Sequence, residues 1–145
     1  MGPLSWQVIA PSRAPSLDSE SPANDASLVL LVEVQGVRIL LLGDQEEPSQ
    51  AQLLRETGGV RADVLKVAHH GSANQHPELV RGVGARLALI SVGVGNDYGH
   101  PAPSLMAMLH DLRMRIARTD KDGDIAVTVR DGTLGLRVRG SPERP

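Results

Sequence analysis

The sequence predicts an α/β fold, in which a mixed β-sheet carries helices on one face. The first observation behind this prediction is the alternation of short apolar, β-branched runs with short amphipathic segments along the chain. The second is a pair of apolar runs, 26–34 and 37–42, separated by Gln35 and Gly36, a two-residue spacing typical of an antiparallel hairpin. The third is the length of 145 residues, which suits one domain with a real core.

Each element follows from a local pattern of apolar residues and turn formers. The predicted strands are residues 4–10, 26–34, 37–42, 63–68, 86–92, 115–118, 124–129 and 133–138. The predicted helices are residues 46–57, residues 77–83 and a segment that Ser104 would cap and that runs to Leu112. Residues 1–145 are expected to form a single domain, with a flexible loop at 11–25 and a disordered tail at 140–145.

Composition excludes several classes of function. The chain has no Cys, which excludes disulfides and thiolate metal sites. Its net charge of -2 gives no general basic surface for nucleic acid, and the scarcity of aromatic residues argues against binding by stacking on single-stranded bases. No apolar run approaches the roughly 18 residues that span a bilayer, and the first residues lack the plan of a signal peptide. The sequence therefore predicts a soluble domain.

Polar clusters follow three of the predicted strands. They are Gly43-Asp44, the segment from His69 to Ser72, and the segment from Asn96 to Pro101. The ends of neighbouring strands in one sheet lie about 5 to 10 Å apart, so a carboxylate and imidazoles could share a cation there. Oxygen and nitrogen ligands without thiolates suit Zn²⁺ or Mn²⁺ in a hydrolytic site. The histidine pair alone fits a metal ligand, a general base or a polar cap equally well.

Taken in order, these motifs resemble a known family. They are Asn24-Asp25-Ala26-Ser27, then Leu41-Leu42-Gly43-Asp44, then Lys66-Val67-Ala68-His69-His70-Gly71-Ser72, then Asn96-Asp97-Tyr98-Gly99-His100-Pro101, then Arg118-Thr119-Asp120. The combination is similar to the carboxyl-terminal metallo-β-lactamase-fold domain of ComEC-type DNA-uptake (competence) proteins. The resemblance extends from Trp6 to Val138.

The resemblance implies a metal-dependent hydrolase of the αββα sandwich fold, proposed in that family to act as a nuclease on the DNA strand that is not imported. It implies a two-metal site of Zn²⁺ or Mn²⁺, and as partners single-stranded DNA and the membrane channel of the parent protein. Asp44 matches the aspartate that bridges the metals, and the pair His69 and His70 contains a further ligand, with His70 preferred. His100 and Tyr98 match groups that support the metal ligands or face the substrate.

The residues expected to carry the function are therefore of three kinds. The catalytic residues are Asp44, His70 and His100; the metal ligands are Asp44, His69 and His70; the substrate-binding residues are Ser72, Asn96, Tyr98 and His100.

One departure from the family bears on activity. The family takes most metal ligands from a His-Xaa-His-Xaa-Asp-His motif in the amino-terminal half of the domain, and this chain has no histidine before His69. We therefore expect the chain to be the second half of such a domain and to be inactive alone. The sheet face that the missing half would cover should then be exposed and drive self-association.

Two other functions remain open. The chain could be a non-catalytic binding or assembly module of a membrane DNA-transport protein, because the ligand set is incomplete. It could also be a small enzyme of the same fold that completes its site across a dimer. The second requires many ligands on each protomer, which five histidines hardly supply.

Overall fold

The computed structural model describes residues 4–14 and 21–140. Its strands are β1 (Leu4–Ala10), β2 (Val29–Val34), β3 (Val37–Leu41), β4 (Val64–Lys66), β5 (Leu87–Ile90), β6 (Arg115–Arg118), β7 (Asp124–Arg130) and β8 (Thr133–Arg139). Its helices are α1 (Pro22–Asp25), α2 (Glu47–Thr57), α3 (Pro77–Val83), α4 (Pro103–Asp111) and α5 (Thr119–Asp122), with a 3₁₀ turn at His69–Gly71. Within the described part of the chain, no helix is long and apolar enough to cross a membrane.

The first six strands form one mixed sheet in the order β1-β2-β3-β4-β5-β6. Strands β1, β2 and β3 pair antiparallel, whereas β3 to β6 pair in parallel. Parallel neighbours need a crossover, and α2, α3 and α4 supply the three crossovers in turn. The predicted α/β fold with a mixed sheet is confirmed.

Both hairpin turns have the backbone that their residues favour. Gln35 and Gly36 have φ angles of 49° and 77°, and Asp131 and Gly132 have φ angles of 50° and 71°. Two consecutive positive φ values are those of a type I′ turn, whose twist matches that of the flanking strands. The sequence therefore set the register of both hairpins locally.

One face of the sheet packs against the helices. The strand residues of this core are Val29, Leu40, Leu65, Ala88 and Ile90, and the helix residues are Leu53, Leu79, Val80, Val83, Leu105 and Leu109. All of these side chains are at most 1% exposed. Full burial of an aliphatic side chain contributes about 1.5 to 3 kcal/mol, so this layer supplies most of the stabilisation.

The opposite face is partly covered by the chain itself. Strands β7 and β8 form a separate two-stranded sheet, and they pack on the side of β3 to β6 that points away from the helices. Beneath the hairpin lie Val37, Val64, Leu87 and Ala117, all at most 2% exposed. The expectation of one sheet with a wholly bare second face is therefore wrong, because the last two strands turn back over half of that face.

The other half of this face is apolar and exposed. Leu4, Trp6 and Val8 of β1 are 63%, 63% and 47% exposed. They stand opposite Val34, Val32 and Leu30 of β2, and opposed residues of an antiparallel pair point to the same face. We call Leu4, Trp6 and Val8 with these three β2 residues the β1–β2 patch.

Several local predictions differ from the structure; β2, β4 and β5, for example, are shorter than the strands predicted at 26–34, 63–68 and 86–92. The segment predicted as a loop at 11–25 contains the single turn α1, while its residues 15–20, and 141–145 of the predicted tail, lie outside the described residues. Helix α4 begins after Ala102 rather than after Ser104, because Pro103 takes the first helical position, where its fixed φ and missing N–H cost nothing. Helix α5 was not predicted, since four polar residues carry no periodicity.

We predict that the chain self-associates through the β1–β2 patch. Val8→Lys should shift the protein toward monomer, because a charge on this face would be costly to bury between two copies. Val138→Lys is the matched control, since Val138 is also half exposed, at 50% against 47% for Val8, but lies on β8. Light scattering over a range of concentrations measures the effect. A wild-type protein that stays monomeric throughout would contradict the prediction.

Candidate functional site

The three predicted polar clusters meet at the carboxyl ends of the parallel strands. Asp44 lies just beyond β3, His69 and His70 follow β4, and His100 lies in the loop after β5. The ring of His69 lies 6.1 Å from that of His70 and 5.7 Å from that of His100, and His70 Nε2 lies 3.9 Å from Asp44 Oδ2. Open α/β sheets bind ligands at this edge. We call these four residues the strand-end cluster.

The backbone of the histidine loop is unusual. His69, His70 and Gly71 have consecutive positive φ angles of 46°, 54° and 85°. A residue with a Cβ in this region costs of order 1 to 3 kcal/mol, so two such histidines must be held by their surroundings. The N–H of His69 donates to Gly43 O at 3.1 Å, and the N–H of Ser72 donates to His69 O at 2.9 Å.

Gly71 joins this loop to the loop that carries His100. A Cβ at position 71 would lie 2.6 Å from the Cβ of Pro101, closer than real side chains approach. The N–H of Ala102 donates to Gly71 O at 2.8 Å. Only glycine permits this approach, and the approach is what brings His100 beside His69.

His70 is oriented toward Asp44 by a backbone carbonyl. Its Nδ1 lies 2.8 Å from Ser91 O, and a carbonyl only accepts hydrogen bonds, so Nδ1 carries a proton. In the neutral ring the lone pair is then on Nε2, the nitrogen nearest Asp44. Both side chains are accessible, with exposures of 50% for His70 and 42% for Asp44.

The backbone of Asp44 is held by the segment that precedes β2. Its N–H donates to Ser27 Oγ at 3.1 Å, and Gly43, with φ of 59°, lets the two backbones approach. A Cβ on Gly43 would lie 2.8 Å from Ser27 Cβ. The neighbouring Lys66 donates from Nζ to Val67 O, and burial lowers its pKa, an effect that the negative charge of Asp44 opposes.

Glu46 stands beside His69. Glu46 Oε1 lies 3.4 Å from His69 Nδ1 and accepts a hydrogen bond from Asn24 Nδ2 at 2.8 Å, while Glu46 Oε2 accepts one from Asn74 Nδ2 at 2.8 Å. From the sequence Glu46 was expected only to start a helix, and Lys66 was not predicted to be a site residue. A lone lysine inside an apolar strand was a signal for Lys66, whereas nothing in the sequence indicated the amide contacts of Glu46.

Buried glutamines hold the histidine loop against α2. Gln50 Nε2 donates to Gln75 Oε1 at 3.0 Å and to Gln45 O at 2.8 Å, and Gln75 Nε2 donates to the carbonyls of Ala68 and Ser72 at 3.2 Å. These glutamines are at most 5% exposed. Buried amides stabilise only when they are paired, so this network fixes the loop in one arrangement. No local pattern in the sequence indicated this network.

The residues predicted to bind substrate divide into two groups. Ser72 is 5% exposed and its Oγ accepts from the N–H of Asn74, while Asn96 Nδ2 donates to His100 O at 2.7 Å, so both side chains make contacts within their own loops. Tyr98 is 86% exposed, and its ring stacks on that of His100 with centroids 6.2 Å apart. Substrate contact by any of the four stays a prediction.

His100 resists protonation. Burial lowers its pKa below the ordinary histidine value, and repulsion from His69 and His70 lowers it further. A neutral imidazole is the form that accepts a proton or binds a cation.

The cluster does not by itself complete a metal site. Asp44 and His70 supply two donors that face each other, whereas a tight Zn²⁺ site takes three or four protein ligands. Among residues 4–14 and 21–140, no group of three or more His, Cys, Asp or Glu side chains is placed to hold a metal ion. Binding of Zn²⁺ or Mn²⁺ therefore stays a prediction.

Two curated proteins are similar to this chain. ComE operon protein 3 of Bacillus subtilis (strain 168) is 35% identical over 123 residues, which is 84% of this chain and 15% of that protein. Recombination protein 2 of Haemophilus influenzae is 31% identical over 143 residues, or 96% of this chain and 17% of that protein. No protein-family model matches the chain.

The matched region covers about one sixth of either relative's length. These similarities support a relation to DNA-uptake competence proteins. They do not bear on the metallo-β-lactamase fold or on nuclease activity.

We predict that His69→Gln raises the pKa of His100, because it removes one of the two like charges that disfavour the imidazolium. With its folded pKa lowered, His100 makes folding less favourable as the pH falls below about 6.5, the value expected in the unfolded chain. The substitution should reduce that loss of stability. Titration of the histidine ring protons by NMR measures the pKa, with His110→Gln on the exposed side of α4 as control. An unchanged His100 titration in His69→Gln would refute the prediction.

We also predict that Gly71→Ala destabilises the fold by about 2 to 4 kcal/mol, through backbone strain and the clash with Pro101. Gly36→Ala is the control, because Gly36 also has positive φ but has no atom within 4 Å of a built Cβ. Urea unfolding of both variants measures the difference. Equal losses of stability would mean that the contact with Pro101 contributes nothing.

Proposed function

We propose that this chain is part of the hydrolase domain of a DNA-uptake competence protein, in which Asp44 and His70 serve as metal ligands. The support for the parent protein is the similarity to ComE operon protein 3 and Recombination protein 2. On this proposal the substrate is DNA, and the parent protein lies in a bacterial membrane.

The observation that carries the proposal is the geometry of Asp44 and His70. His70 Nε2, whose lone pair is free because Nδ1 donates to Ser91 O, lies 3.9 Å from Asp44 Oδ2. Metal-bound histidines commonly have this arrangement, with the second ring nitrogen bonded to a carbonyl or carboxylate. A cation between the two groups would be bound by both, whereas without a cation a protonated His70 would form an ion pair with Asp44.

The other residues of the cluster have distinct roles in this proposal. The remaining ligands come from parts of the parent protein beyond this chain, since the relatives are about six times as long as the region they share with it. His100, with its lowered pKa, stays neutral and accepts a proton from the attacking water or contacts the phosphate as a neutral donor. Tyr98, exposed and stacked on His100, faces the DNA.

A second candidate function is a non-catalytic binding or assembly module of the same parent protein. The observation that favours it is the β1–β2 patch, where an exposed tryptophan lies on an apolar sheet face. The two candidates differ in what Asp44 does, because a module that only assembles makes no use of its carboxylate.

We predict that the chain alone binds Zn²⁺ or Mn²⁺ weakly, with a Kd well above the submicromolar range, because its own cluster supplies two facing donors. Asp44→Ala should abolish this binding, and Ser72→Ala should change it little, since Ser72 Oγ is used inside its loop. Titration calorimetry measures both. Equal effects of the two substitutions would show that the site is misplaced, and submicromolar Zn²⁺ affinity would show that the ligand set is underestimated.

The hydrolase proposal is tested in the full-length parent protein. Asp44→Ala and His70→Gln should each abolish metal-dependent DNA cleavage, whereas His110→Gln, on the exposed side of α4, retains it. Loss of DNA uptake in Val8→Lys, together with full uptake in Asp44→Ala, would instead support the assembly module.

A further inference from the structure

Glu46 is held in place by two amides, one from α1 and one from the loop after β4. Asn24 Nδ2 donates to Oε1 and Asn74 Nδ2 donates to Oε2, each at 2.8 Å. The side chain is only 15% exposed. Although Glu46 is the N-cap residue of α2, its side chain makes no capping hydrogen bond to that helix. The carboxylate therefore makes its hydrogen bonds to the two asparagine side chains and not to the backbone of α2.

The carboxylate faces one nitrogen of His69. Nδ1 of His69 lies 3.4 Å from Glu46 Oε1, and within the described residues this buried nitrogen has no partner that meets full hydrogen-bond geometry. A carboxylate oxygen only accepts hydrogen bonds. An unprotonated Nδ1 would therefore aim its lone pair at a negative charge, whereas a protonated Nδ1 is attracted to it.

We propose that Glu46 is a positioning residue, which holds the neutral ring of His69 in the tautomer protonated on Nδ1 and leaves Nε2 as the nitrogen free to bind. The use of Nε2 in a DNA-hydrolysing site rests on the function proposed above. The tautomer of His69 does not rest on that function, because it is argued from the contacts of Glu46 alone.

On this proposal both adjacent histidines are protonated on Nδ1, but a different acceptor faces that nitrogen in each ring. His70 is protonated on Nδ1 by donation to the neutral carbonyl of Ser91, and His69 by its contact with the charged Glu46. In water the tautomer protonated on Nε2 is the commoner form of a free histidine. Each ring therefore needs its own acceptor to present Nε2, and removing one acceptor should affect one ring.

The variant Glu46→Gln tests the inference without changing the shape of the side chain. Asn24 and Asn74 donate to different oxygens of Glu46. A glutamine has an oxygen at one of these two positions and an NH₂ donor at the other, so it cannot keep both hydrogen bonds in place, and it carries no charge to attract Nδ1–H. Long-range ¹H–¹⁵N NMR at about pH 8, above the ordinary histidine pKa of about 6.5, identifies the protonated nitrogen of each ring. We expect Nδ1 of His69 to be protonated in the wild type and to lose that preference in Glu46→Gln, while His70 stays unchanged.

Glu47→Gln is the matched control. Glu47 is the neighbouring carboxylate, and its Oε1 lies 2.8 Å from His76 Nδ1. The variant removes the same charge one residue away, so it should alter His76 and leave His69 as in the wild type. If Glu46→Gln fails to fold, Asn74→Ala replaces it, since Asn74 is exposed and its loss frees one oxygen of Glu46. Asn74→Ala should weaken the preference of His69 for Nδ1–H.

The inference is overturned if His69 of the wild type is protonated on Nε2, or if its tautomer is the same in the wild type and in every folded variant. These spectra need neither metal nor DNA. An Nδ1–H tautomer that depends on Glu46, found together with metal binding indifferent to Asp44→Ala, would uphold the inference and refute the proposed function. A His69 tautomer that does not depend on Glu46, found together with metal binding that Asp44→Ala abolishes, would refute the inference and leave the proposed function standing.

Discussion

The contact between the backbone of Gly71 and the ring of Pro101 sets the distance between the two histidine-bearing loops. It exists because residue 71 has no side chain, and the hydrogen bond from Ala102 N–H to Gly71 O closes it. Through it the loop after β4 and the loop after β5 become one surface. The ring contacts of His69 with His100 and the lowered pKa of His100 both depend on this closeness.

Polar groups, rather than apolar packing, orient the side chains of this surface. The amides of Gln50 and Gln75 fix the loop backbone from inside, and the carbonyl of Ser91 and the carboxylate of Glu46 orient one imidazole each. Buried polar groups are costly when unpaired, so such a network allows few alternative arrangements. This explains how two consecutive histidines can keep positive φ angles.

The two faces of the sheet are covered to different extents. The face against the helices is a complete aliphatic core, while the face under the β7–β8 hairpin is covered only over β3 to β6. A two-stranded sheet is marginal by itself, and here it gains stability by packing on the larger sheet. The β1–β2 patch continues the same apolar face beyond the hairpin, so packing against a further layer would extend a core that has already begun.

The sequence by itself determined the elements and the edge at which chemistry could occur. Alternation, prolines and the pairs Gln35-Gly36 and Asp131-Gly132 act over a few residues, so strands, helices and hairpins could be predicted. The clustering of Asp44, His69, His70 and His100 followed from parallel strands ending at one edge. Only the tertiary structure decided the packing of β7 and β8 over half of the sheet, the amide network, and the contact of Glu46 with His69. These depend on residues distant in the chain, such as Asn24, Glu46 and Asn74, whose approach is fixed by the packing of the whole sheet and leaves no local pattern.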